Sequence, residues 1–204
     1  MKKIIICEGK YDGVFMQKLM ARLGVPESKI KVFSQENIDL KQKKHAESTV
    51  LRQFTEENPY NPHEFLIKLE GGKDSATKIF CREIVKCLNS VVDLILLLDC
   101  DNSNIDQKIN TLKELTSNTY AQTTPILLNF EKKRKNNHLH HVSCGVSLQN
   151  LQTIIGTFQL ALFEISLENS CGIINTDSEE VKRRKIDEFV NGGQICNFFE
   201  PMIL

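Results

Sequence analysis

An α/β domain, with a mostly parallel sheet sandwiched by helices and a helical C-terminal extension, is predicted by three observations. Short apolar runs alternate with amphipathic stretches of helical spacing. Residues 3–8 form a continuous apolar run, the pattern of a strand buried on both faces, and Val91–Leu98 is the most hydrophobic segment of the chain. The acidic and glycine-rich motifs follow such runs directly, where ligands bind beyond the carboxyl ends of parallel strands.

Taken in order, Lys3-Ile4-Ile5-Ile6-Cys7-Glu8 is the first strand. Met1-Lys2-Lys3 looks like the head of a signal peptide, but it lacks the hydrophobic length and the small-residue cleavage site. Val14, Phe15, Met16, Leu19 and Leu23 supply a helical stripe that Gly24-Val25-Pro26 stops, and Ile30–Phe33 is a short strand. Residues 34–62 turn polar and read as an insertion, with one helix over Ala46–Glu57 whose Val50, Leu51 and Phe54 share a face. Glu64–Leu69 is the next strand. It runs into Gly71-Gly72-Lys73-Asp74 and an amphipathic helix through Ala76, Ile79, Phe80, Ile84, Val85 and Leu88, with Asp74 or Ser75 placed to cap it.

The most hydrophobic segment, Val91–Leu98, leads into Asp99-Cys100-Asp101-Asn102, a central strand with acids at its carboxyl end. Ile105–Leu115 is helical and Pro125–Phe130 a further strand. Glu131–His141 is basic and polar and Val142–Val146 strand-like. Leu148, Leu151, Ile155, Phe158, Leu162 and Ile165 recur at three- and four-residue steps, predicting a long amphipathic helix packed on the sheet. Ser178–Asn191 is a last helix, with a capping box in Asp177 and Glu180 and a stop at Gly192-Gly193. The expected division is an α/β domain over residues 1–130, carrying the 34–62 insertion, and a mainly helical extension over 131–204 packed on it.

Composition bounds the function. Hydrophobic residues at 41% and charged residues at 25% fit a globular chain, and no apolar run reaches the roughly 20 residues that span a bilayer, so no membrane association is expected. Seven cysteines lacking any Cys-x-x-Cys pair point to free thiols in a reducing cytoplasm rather than to a structural zinc. The 26 basic and 26 acidic residues cancel, so any phosphate chemistry must be local.

Residues two apart on a strand project to the same face, so Asp99 and Asp101 are expected to aim at one point, with Glu8 arriving from another strand end. Three such carboxylates repel unless a cation neutralises them, and hard oxygen donors suit Mg²⁺ or Mn²⁺. Taken by itself, Asp99-x-Asp101 reads more readily as a strand end with solvated turn acids, and the Glu8 and Gly71 matches reverse that. Glu8-Gly9-Lys10-Tyr11-Asp12, Gly71-Gly72-Lys73 and Asp99-Cys100-Asp101 together, in this order and each at a strand-to-helix junction, resemble the Glu-Gly-x-x-Asp, glycine-turn and Asp-x-Asp motifs of Toprim domains. The similarity covers about residues 1–130. It implies a Toprim/Rossmann-like fold and metal-dependent phosphodiester chemistry on nucleic acid, DNA or RNA.

On matching positions the resemblance makes Glu8 the general acid/base and Asp99 and Asp101 the metal-holding pair, with Asp12 assisting. Gly9, Gly71 and Gly72 would bring backbone amides to phosphate oxygens, and Lys10 and Lys73 would add positive charge. This sequence lacks a primase-like zinc module, an ATP-binding Gly-x-x-x-x-Gly-Lys-[Ser/Thr] loop and a topoisomerase-like tyrosine region, which leaves a small stand-alone Toprim-like nuclease. The alternatives are a non-catalytic metal- and nucleic-acid-binding module, a subunit whose ATPase partner is a separate chain, or a small-molecule phosphatase. A haloacid-dehalogenase-like site would carry its Asp-x-Asp on the first strand, and a receiver domain would carry paired acids there; Glu8-Gly9 is neither. The basic run Lys132–Lys135 beside His138, His140 and His141, and the Lys182–Lys185 run, read as exposed segments able to meet phosphates.

Overall fold

The computed structural model describes residues 2–34, 40–56, 62–90, 92–101, 103–121, 125–149, 153–192 and 194–204. The elements run β1 (Lys3–Cys7), α1 (Lys10–Arg22), β2 (Ile30–Ser34), α2 (Leu40–Thr55), β3 (Phe65–Leu69), α3 (Lys73–Asn89), β4 (Asp93–Asp99), α4 (Ile105–Tyr120), β5 (Ile126–Lys135), β6 (Leu139–Leu148), β7 (Ile154–Phe163), α5 (Leu167–Ser170), α6 (Glu179–Asn191) and α7 (Gln194–Ile203). They build a seven-stranded sheet in the order β2-β3-β1-β4-β7-β6-β5. β2, β3, β1, β4 and β7 are mutually parallel, and β6 is antiparallel to both β7 and β5. The α/β architecture expected from the alternating pattern is therefore present.

The two faces follow from strand periodicity. Ile4, Ile6, Leu94, Leu96 and Leu98 point to one side, where they pack with Ala76, Phe80 and Ile84 of α3, Ile109 and Leu112 of α4, and Leu51 and Phe54 of α2. Ile5, Cys7, Ile95 and Leu97 point to the other, against Phe15, Met16 and Leu19 of α1 and the helices α5 to α7. Both sides of β1 are fully buried, which is why its sequence is a continuous apolar run rather than an alternation. Phe15 joins the second layer together, with its ring edge-on to Phe163 at 5.6 Å and to Phe199 at 5.5 Å.

Four expectations need correction. The helix anticipated over 148–165 is instead the end of β6 and all of β7. Its three- and four-residue spacing was coincidental. Phe158, Leu160 and Leu162 bury on one face and Ala161 and Phe163 on the other, while Ile155 and Ile165 are exposed and Leu151 lies outside the described residues. Residues 131–204 thus contribute two sheet strands as well as three helices. Similarly, the basic run Glu131–Lys135, for which no strand was expected, continues β5 along the sheet edge, and lysines on an edge strand discourage pairing with another chain.

The third correction concerns α3, which begins one residue before its anticipated caps. Gly72 is its N-cap at φ +148°, following Gly71 at φ +72°, a path open to glycine and not to Asp74 or Ser75. The fourth is at α6, where Ser178 and not Asp177 is the cap, accepting from the Val181 amide at 3.3 Å. Asp177 accepts from Ile174 N and pairs with Lys185 at 2.7 Å.

Within the polar stretch 34–62, α2 starts earlier than anticipated and seats Leu51 and Phe54 on the sheet; residues 35–39 and 57–61 lie outside the described residues. Cysteines 7, 81, 87, 100 and 144 are buried free thiols and Cys171 and Cys196 partly buried ones. Among the described residues no helix is long and apolar enough to cross a membrane.

The strand assignment of β7 has a measurable consequence. Phe163→Ala removes a fully buried ring shared with Phe15 and Phe189, and is expected to cost about 3–5 kcal/mol in urea unfolding. An exposed-helix position would lose under about 1 kcal/mol, and a loss that small would contradict the packing.

Candidate active site

Because β1, β3, β4 and β7 are parallel, their carboxyl ends meet at one edge of the sheet, and the residues just past them converge there. Glu8 follows β1 and Asp99 closes β4, its immediate neighbour. The Glu8 Oε1 accepts a hydrogen bond from the Asp99 amide at 2.9 Å. Asp99 Oδ1 in turn accepts from the Leu167 amide, just past β7, at 3.1 Å. The Gly72 amide, past β3, donates to the Glu8 carbonyl at 2.8 Å. Asp12, in the first turn of α1, accepts from the Gly9 amide at 2.9 Å through Oδ2, which closes the N-terminal cap of that helix. Beside the glycine turn, Glu70 is buried in an ion pair with Lys68.

These acids are close enough to oppose each other's ionisation. Burial, then the Glu8 and Glu168 carboxylates, push Asp99 up to about 7. Burial is also the leading cause for Asp12, reinforced by Asp99, Glu8 and Glu168, which together hold it well above the usual carboxylate range. Glu8 is raised by burial against the opposing pull of the Asp99 amide, Lys73 and Lys108. Glu168 sits in α5, two residues past the Ser166 cap, and is a fourth acid of the cluster that sequence reasoning did not single out. Recognising β7 as a strand would have exposed it, since it follows that strand at the same edge as the other three.

Asp101 departs from the expected geometry. The strand ends at Asp99, so the two-residue period does not extend to Asp101. That residue adopts a left-handed turn at φ +48°, with its amide bonded to the Ile165 carbonyl at 2.7 Å. Its carboxylate is engaged by Lys73, the first residue of α3. Lys108, in the first turn of α4, stands against Lys73; burial and that neighbouring ammonium pull it down to about 8. Lys108 is the second participant that the sequence reading missed, although Asn104 and Gln107 form a capping box that fixes the start of α4 and hence places Lys108 beside the strand end. Lys10 is turned away to Glu179 of α6 at 2.7 Å, which also accepts from the Tyr11 hydroxyl at 2.5 Å.

The structure thus brings together Glu8, Asp12 and Asp99, adds Glu168, pairs Asp101 with Lys73, places Gly9, Gly71 and Gly72 in the adjoining turns, and leaves Lys10 on the α6 side. Among the described residues no group of three or more His, Cys, Asp or Glu side chains stands ready to hold a metal ion. His141 is buried in β6 with Nε2 2.7 Å from Gln159 Oε1, and the His138 ring lies edge-on to Phe189. Compared with protein-family models, with curated proteins and with solved structures, the chain finds no match in any of the three.

The raised Asp99 sets a pH dependence. Between about pH 4 and pH 7 the unfolded chain has released this proton while the folded protein keeps it, so stability falls as pH rises through that window and levels off above it. Asp99→Asn keeps the oxygen that accepts from Leu167 and removes the charge. It is expected to match the wild type near pH 4.5 and to exceed it by about 1–2 kcal/mol at pH 8, a figure discounted for partial solvation. Urea titrations at the two pH values check this; an equal change at both would show that neither burial nor the neighbouring acids raise Asp99.

Proposed function

We propose that the chain performs Mg²⁺- or Mn²⁺-dependent phosphodiester chemistry on nucleic acid, as a nuclease or a related phosphotransfer enzyme of Toprim-like design. The observation that carries this reading is the pairing of Glu8 with Asp99 at adjacent strand ends, ionisation-resistant and faced by two lysines at the starts of α3 and α4. Mutually repelling carboxylates beside ammonium groups suit a substrate that arrives as a cation and a phosphate together.

By donor chemistry, a hard divalent ion would draw on Glu8 and Asp99, each of which uses one oxygen in the backbone bonds described and leaves a second to offer. The described acids form no ready cluster of three, so Asp12 and Asp101 would join only by leaving the Gly9 amide and Lys73. Such an ion would polarise the phosphate and stabilise charge on an entering or leaving oxygen. The protein's own groups account for the rest. Glu8, its pKa raised from the ordinary value by burial, would give a proton to the leaving oxygen as the P–O bond breaks, or take one from the attacking hydroxyl in the reverse sense. Lys73 and Lys108 would neutralise the phosphate oxygens. Gly9 and the Gly71-Gly72 turn carry no side chain that would hinder backbone approach, with nothing within 4 Å of an added Cβ at any of the three.

A second reading, a binding module without turnover, is favoured by the engagement of Asp101 with Lys73. In that case the site binds metal and nucleic acid but needs a separate partner chain for chemistry.

The two readings separate in one assay. Plasmid DNA and single-stranded RNA incubated with Mn²⁺ are expected to be nicked or cleaved by the wild type, with at least about a 100-fold loss for Glu8→Gln, the scale of a missing general acid or base, and a comparable loss for Asp99→Asn. Metal-dependent thermal stabilisation with no cleavage of either polymer would leave the binding module standing. Hydrolysis of nitrophenyl phosphate with indifference to polynucleotides would replace both by a phosphatase.

A further inference from the structure

Next to the acidic centre, between the first two turns of α3 and the N-terminal half of α4, lies a cavity of about 460 Å³, large enough for more than a bare phosphate. Its floor is apolar, made by Leu98, Leu112 and Leu115, and its walls carry Lys73, Lys78 and Lys108 against the acidic side chain of Asp74. Lys73 is shared with Asp101, whereas among the described residues no carboxylate lies within ion-pair distance of Lys78 or Lys108.

The polar groups on the walls are also sorted by their hydrogen bonds. Gln107 Oε1 accepts from the Asn104 amide at 2.9 Å, which fixes the side-chain amide and leaves its NH₂ as a donor. The Thr77 and Thr111 hydroxyls already donate to the Lys73 and Gln107 carbonyls at 2.9 and 3.0 Å, so their hydrogens are committed to the helices. The donors left to a ligand therefore include the Lys78 and Lys108 ammonium groups, the Gln107 amide and the Ser103 hydroxyl, within the first two turns of α3 and the start of α4, helices of 17 and 16 residues. A ligand matching this set is rich in acceptors, anionic at one end and able to lay an apolar or aromatic face on leucines. A nucleotide unit has those properties, and an isolated small anion would leave the floor uncovered.

We propose that this cavity is a nucleotide subsite, taking one phosphate and its attached nucleoside from a polynucleotide whose neighbouring phosphodiester lies at the Glu8–Asp99 centre. The polynucleotide assignment rests on the function proposed above; the cavity, its cationic wall and its leucine floor do not. Lys73 stands at the boundary of both sites, linking Asp101 on one side to the cavity on the other.

The test is amine footprinting by acetylation and mass spectrometry on the full chain in EDTA, with four probes: a ten-nucleotide single-stranded DNA, the same length of RNA, a mononucleotide, and inorganic phosphate. At least one oligonucleotide is expected to protect Lys78 and Lys108 severalfold while Lys18 and Lys185, paired with Asp187 and Asp177 on the α1–α6 side, are unchanged. The double variant Lys78→Gln/Lys108→Gln should bind the oligonucleotide about tenfold more weakly, with a salt dependence shallower by roughly 0.7 for each phosphate that the variant no longer neutralises, and Lys108→Arg should restore part of the affinity. Lys18→Gln, on the α1–α6 side, should bind as the wild type does in EDTA.

Equal protection by the mononucleotide or inorganic phosphate would overturn the polynucleotide assignment. Unaltered oligonucleotide binding in the folded double variant, or no binding by the wild type, would overturn the subsite. Cleavage with Mn²⁺ is scored separately. Protection without cleavage removes the nuclease reading and keeps the cavity, while cleavage without protection does the reverse.

Discussion

The hydrogen bond from the Asp99 amide to the Glu8 carboxylate is the constraint on which the carboxyl edge of this sheet is organised. It exists because β1 and β4 are parallel neighbours, and it holds one acid against the main chain of another in a place where both are partly withdrawn from water. A backbone donor lowers the cost of ionising Glu8, yet burial outweighs it, so the carboxyl is raised from its ordinary value. Asp99 meets the same conflict, with the Leu167 amide favouring its charge while burial, Glu8 and Glu168 oppose it. Each strand end is thus tied to the next by an acid that is itself uncomfortable when charged. Natural sequences tolerate such local conflict where a site requires it.

Much of this was legible in the sequence, and the failures have physical reasons. Strands β1 and β4 were readable because burial on both faces demands uninterrupted apolar runs, as in Ile4–Cys7 and Leu94–Leu98. Reading the acids past those runs located Glu8 and Asp99 correctly as neighbours across two strands. β7 was misread because Leu148, Ile155, Phe158 and Leu162 happen to fall at helical steps, whereas the residues that bury, Phe158 and Leu160–Phe163, fill both faces of a strand. Periodicity cannot separate a doubly buried strand from a buried helix segment. That error hid Glu168, since an acid past a helix has no reason to point at the sheet edge.

Asp101 failed for a different reason. The two-residue period holds only while the backbone stays extended, and nothing in Asp-Cys-Asp-Asn announces that the chain leaves the strand at Asp99 and enters a left-handed turn at Asp101. Aspartate is among the few residues with a side chain that accepts this conformation readily. In the same way, Gly71 and Gly72 were recognised as a turn but not as the cap, because the choice between Gly72 and Asp74 depends on a backbone angle of +148° that only the folded chain reveals.

The consequence of that turn is an arrangement of opposite charges in two halves, with Glu8, Asp12, Asp99 and Glu168 on one side, Lys108 on the other, and the Lys73–Asp101 pair between them. The Asp101 side chain is 48% exposed and Lys73 28%, so their attraction is screened by water and worth about 0–1 kcal/mol. A pair this weak occupies both partners without committing them. In the chemistry proposed above, a phosphate would compete for Lys73 and a divalent cation for Asp101, and each arrival would release the group the other needs. Binding of the two would then be mutually favourable by linkage, with no movement required of β1, β4 or the bond between them. The rigid part of the site is the strand-to-strand clasp, and the adaptable part is one half-exposed ion pair at its rim.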